Sequence, residues 1–304
     1  MTGAWWAIAA GVGFGLFQTI NRRAVRGMDV YVATFMQLFI SAVVLAAISI
    51  ATEDLALLGQ SSGWAWLNFS LAGFFHFFIG WTFLNASQNQ IGAARTGSLI
   101  GTLPLFGAVI AALTLAEFPT LIAIAGILLI VGGVYLVNYA NIQRGAAAGN
   151  VGGGASGLTG WRSLLLGLAA ALCWSISPIF IRHGLAELPS PILGVTIGIS
   201  ACVLGYGLAL AGRNLRAPLA AISTDALAFK VMAGLLVGLS TWARWVALDL
   251  APVAMVLALS LVSVPVVNVL SPLLVGQHLE QVTVQVWLGS ALIIGGSLIL
   301  IFLG

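Results

Sequence analysis

Charged residues are scarce in this sequence: only 6% of its 304 residues are Asp, Glu, Lys or Arg. A soluble domain carries about 25% charged residues, and 61% of this chain is hydrophobic. The composition therefore excludes a water-soluble monomer. The net charge of +3 comes without a dense basic cluster, so nucleic acid is not an expected partner.

Reactive groups are also missing where a membrane enzyme would need them. The sequence has no HExxH motif, no paired acidic metal motif and no serine placed with a histidine and an aspartate within the apolar runs. The two cysteines, Cys173 and Cys202, have neither CxxC spacing nor histidine neighbours, so we expect small apolar filler residues. These absences predict a protein that is not an enzyme and that uses no metal or cofactor.

Apolar runs long enough to cross a membrane dominate the chain. A hydrocarbon core of about 30 Å takes roughly 20 helical residues, and each helix satisfies its own backbone hydrogen bonds in lipid. The runs lie near 3–21, 30–51, 64–85, 92–115, 121–140, 161–181, 190–211, 227–248, 253–275 and 283–303. They predict an all-α, multi-pass protein of the inner (plasma) membrane with ten transmembrane helices.

The second half of the chain repeats the first. Residues recur at offsets of 160 to 163: Phe14 as Trp174, Trp81 as Trp242, Pro104 as Pro265, Glu117 as Glu280, Gly126 as Gly289, and Gly133 as Gly296. A Gly/Ala-rich linker at 141–160 separates the repeats 1–140 and 161–304. Because each repeat holds five spans, the second copy enters the membrane from the opposite side, which predicts inverted repeats around a central cavity.

Residues 81–136 and 245–300 resemble the repeat unit of the drug/metabolite transporter superfamily, in its ten-helix EamA-type branch. The shared marks are a short interhelical loop, a proline within a helix (Pro104, Pro265), a glutamate before the last helix (Glu117, Glu280) and a glycine-rich last helix. Within the branch, the aromatic spans are similar to those of YddG-like exporters of aromatic amino acids. The resemblance implies a cavity lined mainly by helices one, three, four, six, eight and nine.

Two features of the sequence predict opposite orientations of the chain in the membrane. Arginines concentrate in the loops after the first, fifth and seventh runs, and the positive-inside rule then places both termini outside the cell. The resemblance implies the reverse, with both termini in the cytoplasm.

His76 is the strongest single candidate for the substrate site. It lies near the middle of the third run among aromatic residues. A polar ring at that depth tends to face the protein interior and often marks a pathway, and histidine titrates near neutral pH. The alternative is a histidine that only hydrogen-bonds a backbone carbonyl of a neighbouring helix.

Aromatic and small polar residues complete the predicted site. An aromatic lining and hydrogen-bonding groups for a substrate are expected from Phe14, Gln18, Trp81, Thr102, Trp174, Ser177, Trp242, Ser260 and Ser263. The tryptophans have interfacial belts or helix packing as alternatives, and the hydroxyl groups have interhelical contacts. Arg95 and Arg244 are expected to reach the interface with their long side chains; the alternative is that they attract a carboxylate at a cavity mouth.

Pro104 and Pro265 are predicted hinges or kinks, because proline removes a backbone donor from a helix. Simple packing curvature is the alternative.

Together these features predict a transporter that exports small neutral metabolites, including aromatic amino acids, by alternating access. None of the eight acidic residues falls in the middle of a predicted span, so we expect facilitated transport without a membrane carboxylate, by a monomer in the lipid bilayer. The alternatives are a broad-specificity drug exporter of the same superfamily and a non-transporting assembly or channel protein.

Overall fold

The computed structural model is built from helices. It describes residues 1–24, 28–147, 158–212, 223–275 and 283–304, and within these ranges it contains no strand. Ten helical stretches are long and apolar enough to cross a membrane. The predicted fold class, an all-α membrane protein of ten spans, is confirmed.

Three of the first five spans are single helices and two are interrupted. Span 1 is Thr2–Ala24, span 2 is Val30–Thr52, and span 5 is Leu121–Ala147. Span 3 contains Gly63–Gly73, a π-helix at Phe74–Gly80, and Trp81–Ile91; span 4 contains Ala93–Ile100 and Leu103–Leu115. A short helix, Ala56–Gln60, precedes span 3.

The second five spans have the same order. Span 6 is Leu158–Glu187, span 7 is Pro191–Leu210, span 8 is Thr224–Leu250, and span 10 is Val284–Phe302. Span 9 is interrupted, with Val253–Leu259, a 3₁₀ turn at Ser260–Val262, and Ser263–Val275. Of the predicted linker at 141–160, residues 148–157 lie outside the described ranges.

Polar side chains fix where several spans begin. Asp29 accepts hydrogen bonds from the backbone N–H groups of Tyr31 and Val32 at the start of span 2. Serines do the same for spans 3, 7 and 8: Ser62, Ser190 and Ser223. Such caps satisfy donors that the first helical turn leaves unpaired, and they hold the span ends where the polar loops begin.

The main helix contacts are preserved when the two halves are exchanged. Span 1 packs on span 8 as span 6 packs on span 3, and span 2 packs on span 8 as span 7 packs on span 3. Span 4 likewise contacts span 6 as span 9 contacts span 1. This packing is what two copies of one five-helix unit produce.

Spans 5 and 10 meet through the glycines that recur in the two repeats, although the glycines in contact are not the equivalent ones. Gly133 lies against Gly289, and Gly126 lies against Gly296, so the two spans run antiparallel. A Cβ added to Gly133 would lie 2.5 Å from the carbonyl oxygen of Gly289. Small residues permit such close helix approach in membranes, and the antiparallel contact is the one that inverted copies require.

Replacing Gly133 by alanine should therefore destabilise the protein by about 1–3 kcal/mol, because the new methyl group overpacks the contact between spans 5 and 10. The neighbouring Gly132 has no atom within 4 Å of an added Cβ and gives the matched control. Gly132→Ala should be neutral or stabilising by up to about 1 kcal/mol. Thermal unfolding of the purified protein measures both changes; equal effects of the two substitutions would contradict the contact.

Candidate functional site

A π-helix turns His76 toward the interior of the bundle. The wider turn at Phe74–Gly80 interrupts span 3 at the histidine, whose side chain is only 5% exposed. Single π-helical turns inside longer helices are rare and often occur at functional sites. His76 is therefore a buried polar ring in the middle of a long apolar span.

Trp174 of span 6 holds this ring in place. The indole and imidazole rings stack with centroids 5.3 Å apart and planes 21° from parallel. The indole Nε1–H also donates a 2.9 Å hydrogen bond to the backbone carbonyl of His76. The same tryptophan thus fixes both the ring and the backbone of the histidine.

Arg244 of span 8 contacts the ring nitrogens of the histidine. Its Nη2 lies 2.9 Å from Nε2 and 3.2 Å from Nδ1 of His76. A guanidinium group can only donate, and a neutral imidazole has one acceptor nitrogen, so one of these two nitrogens accepts and the ring is neutral. The guanidinium carbon also lies 5.3 Å from the centroid of the Phe14 ring in span 1, which is cation–π distance.

Four side chains form a cluster that we call the Arg–His cluster: Phe14, His76, Trp174 and Arg244. Two of its members are related by the repeat. Phe14 and Trp174 are equivalent positions of spans 1 and 6. One contacts the guanidinium and the other stacks on the imidazole. The cluster therefore brings together spans 1, 3, 6 and 8 around one buried cation.

The expectation that Arg244 reaches the interface is wrong. Its side chain is only 6% exposed, and it lies six residues before span 8 ends at Leu250, about 9 Å along the helix. The sequence carried a signal for this position, since Arg244 stands between Trp242 and Trp245 in an apolar run. Arg95, in the first turn of Ala93–Ile100, is partly exposed.

No carboxylate in the described ranges forms an ion pair with Arg244, and its Nε has no hydrogen-bond partner there. All seven described carboxylates lie within two residues of a helix end: Asp29, Glu53, Asp54, Glu117, Glu187, Asp225 and Asp249. A charged side chain at membrane depth is costly unless something pairs with it. The cluster thus presents a positive charge to the interior, and a neutral ring is its one polar side-chain partner among the described residues.

The two repeat-related tryptophans occupy different surroundings. Trp81 packs edge-on against Phe77, centroids 5.3 Å apart, and stacks on Phe17 at 6.3 Å. Phe77 in turn contacts the His76 ring, so Trp81 extends the aromatic surface of the cluster. Trp242 instead packs edge-on against Trp6 of span 1.

Three of the four predicted hydroxyl groups donate to backbone carbonyls. Ser177 of span 6 donates to the carbonyl of Ala72 in span 3 at 3.1 Å, next to the π-helix. Thr102 and Ser260 donate to carbonyls of their own spans. Ser263 is buried and Gln18 is exposed. A role for these groups in binding substrate stays a prediction, and Ser177 also links two helices of the cluster.

Both predicted kink prolines stand just after a break in their span. Span 4 is interrupted between Ile100 and Leu103, and Pro104 lies in the first turn of the second segment. Span 9 contains its 3₁₀ turn at Ser260–Val262, and Pro265 follows it. The missing donor of proline is tolerated at a helix start. Equivalent spans are thus interrupted at equivalent places, while a hinge motion there stays a prediction.

Glu117 joins four spans at one end of the bundle. The helix Leu103–Leu115 ends at Ala116 in a left-handed conformation with φ of 54°. The Glu117 carboxylate that follows binds Nη2 of Arg182 in span 6 at 2.9 Å and accepts from the N–H of Val253 in span 9 at 2.8 Å. Arg182 also donates to the carbonyl of Leu248 in span 8 at 2.7 Å. The repeat equivalent, Glu280, lies outside the described residues.

Glu117→Ala should lower stability by about 1–2 kcal/mol, since it removes both an acceptor at a helix start and a partly exposed ion pair. Glu117→Gln should cost less than about 1 kcal/mol, because its amide oxygen can still accept from the Val253 N–H. Thermal unfolding of both variants checks the order, and equal losses would mean that the bond to Val253 contributes nothing.

The cysteine prediction is confirmed, since Cys173 and Cys202 are both free and buried. Within the described residues no group of three His, Cys, Asp or Glu side chains is placed to hold a metal ion.

Two of three comparisons with known proteins find a similarity. Residues 1–139, which contain spans 1 to 5 in all but a few residues, match the model of the EamA-like transporter family. A solved crystal structure is 19% identical and superimposes with a TM-score of 0.68 over 96% of this chain and 95% of that chain. That likeness concerns the fold alone. No curated protein matches the chain.

The family match covers 139 of the 304 residues, and it indicates that the first five spans are related to membrane transporters of the drug/metabolite type. The ten apolar helices indicate a multi-pass membrane protein.

Proposed function

We propose that the protein carries small metabolites across the plasma membrane by alternating access, with the Arg–His cluster as its central substrate site. The observation that carries this proposal is the placement of one buried cation and one neutral histidine between the repeat-equivalent aromatic rings of spans 1 and 6. A site at the interface of two repeats is where such transporters bind their substrates.

Alternating access is supported by the packing of the two halves. Exchange of inverted halves gives one sequence two related arrangements, each open to a different side. The preserved helix contacts and the antiparallel glycine contact fit this scheme. The bonds of Glu117 hold spans 4, 6, 8 and 9 together at one end of the bundle. In our proposal these bonds keep that end closed and break when the substrate leaves by it.

Amino acids, including aromatic ones, remain our proposed substrates. The resemblance to aromatic amino acid exporters suggests them, and Phe14, Trp81 and Trp174 supply aromatic faces close to or within the cluster. A broad drug exporter is the competing proposal. The cluster disfavours it for cationic drugs, because a bound cation would lie beside the unpaired charge of Arg244.

Transport of L-phenylalanine into proteoliposomes tests the site. His76→Ala should lower kcat/KM at least about tenfold, since it leaves Arg244 without its polar partner and removes the ring that stacks on Trp174. His183, an exposed histidine in span 6, gives the matched control, and His183→Ala should transport at the rate of the unaltered protein.

His76→Gln keeps an oxygen that can accept from Arg244 and should retain more transport than His76→Ala. The site assignment fails if His76→Ala, folded as judged by its thermal transition, transports at the unaltered rate. Absence of transport of every amino acid tried would count against the proposed function itself.

We further expect facilitated transport, because no described carboxylate lies in the interior of a span to carry a proton. In proteoliposomes, labelled L-phenylalanine should equilibrate to the external concentration, and a pH gradient in either direction should leave this level unchanged. Accumulation above the external concentration under a pH gradient would show proton coupling and contradict the uniport proposal.

A further inference from the structure

We propose that Arg244 is the carboxylate-binding group of the transport site, so that the substrate supplies the counterion that the protein lacks. This inference rests on the proposed function and deepens it by naming the substrate class: small organic acids with an apolar or aromatic body. The predicted neutral metabolites are included only where they carry a carboxylate, as zwitterionic amino acids do.

The first support is the contrast between Arg244 and two other cations within spans, Arg182 and Lys230. Arg182 has Glu117 as its ion-pair partner. Lys230, fully buried in span 8, donates to the side-chain oxygens of Asn21 and Gln37 at 2.9 Å each. Arg244 is also buried, but among the described residues its one polar side-chain partner is His76, which offers a ring nitrogen. Within the described ranges, side-chain oxygens therefore accept from buried Lys230 and from partly exposed Arg182, and none accepts from Arg244.

The second support is the unused hydrogen-bonding capacity of the guanidinium. Its five N–H groups radiate outward within the plane of the group, and the contacts to His76 involve Nη2 alone. Nε is buried and has no partner within the described ranges. A buried unsatisfied donor costs about 1–3 kcal/mol, and more when it is charged. A carboxylate accepts from Nε and a neighbouring Nη at once, which is the strongest arrangement available to arginine.

The third support is the apolar surface around the charge. Phe14 lies beneath the guanidinium and Trp174 stacks on its histidine partner. These rings exclude water from the cation, which strengthens its attraction for an anion, and they offer planar faces to the body of a ligand. The cluster therefore fits a carboxylate joined to an apolar or aromatic group, and it repels an amine that lacks a carboxylate.

Matched pairs of ligands test this inference on the purified full-length protein. The pairs are 3-phenylpropionate with 3-phenylpropionamide and L-phenylalanine with L-phenylalaninamide, compared by thermal shift at constant ionic strength and chloride. The two acids should raise the melting temperature saturably. The two amides should bind at least about tenfold more weakly, because they cannot form the charged bidentate bond.

Substitutions at Arg244 link the preference to this side chain. Arg244→Gln should abolish the preference for the acids, and Arg244→Lys, which keeps the charge without the fork, should retain part of it. The matched control is Arg23, which also lies over an aromatic ring, that of Phe229, but is exposed. Arg23→Gln should keep the full preference.

Four results would overturn the inference: equal shifts by acids and amides, a preference that survives in folded Arg244→Gln, a shift produced as well by inorganic phosphate, or binding of no member of either pair. A transport measurement distinguishes failure of this inference from failure of the proposed function. Equal transport of L-phenylalanine and L-phenylalaninamide would leave the transporter proposal standing and reject the carboxylate. Binding of the acids through Arg244 without any movement across the bilayer would support the carboxylate site and reject the transporter proposal.

Discussion

The contact between Arg244 and His76 is the interaction on which the centre of this bundle depends. A guanidinium buried at membrane depth tolerates few neighbours, and here a neutral imidazole accepts from it while an aromatic ring faces its charge. The π-helix places the imidazole, Trp174 fixes it, and span 1 supplies the ring of Phe14. Four spans therefore meet around the charge of Arg244. In our proposal, this charge binds the substrate because it lacks a counterion.

The repeat gives this centre its surroundings. Phe14 and Trp174 come from equivalent positions, yet one contacts the cation and the other contacts the histidine. The two halves thus share an architecture but contribute different chemistry, since neither His76 nor Arg244 has a like residue 161 positions away. At the periphery the symmetry is closer, as the antiparallel contact of spans 5 and 10 maps onto itself when the halves exchange. In our proposal the symmetric shell permits two states, and the asymmetric centre binds the substrate in both.

Sequence reasoning predicts the spans well because membrane thickness fixes their length and apolar composition marks them. It also singles out His76, Phe14 and Trp174, since a mid-span imidazole and paired aromatic positions are visible in one sequence. It does not predict that Arg244 turns inward, because four residues from a predicted end a long side chain can reach either lipid headgroups or the interior. The contacts of Arg244 with His76 of span 3 and Phe14 of span 1 decide between them. The bonds of Glu117 likewise join residues far apart in sequence, which no local pattern encodes.

The most direct measurement is an experimental structure of the protein with 3-(4-bromophenyl)propionate, in which anomalous scattering locates the bromine and the density locates the carboxylate. The account predicts carboxylate oxygens about 2.8 Å from the Arg244 guanidinium, with the aromatic body beside Phe14 or Trp174. A ligand bound elsewhere, with Arg244 still paired only to His76, would contradict it.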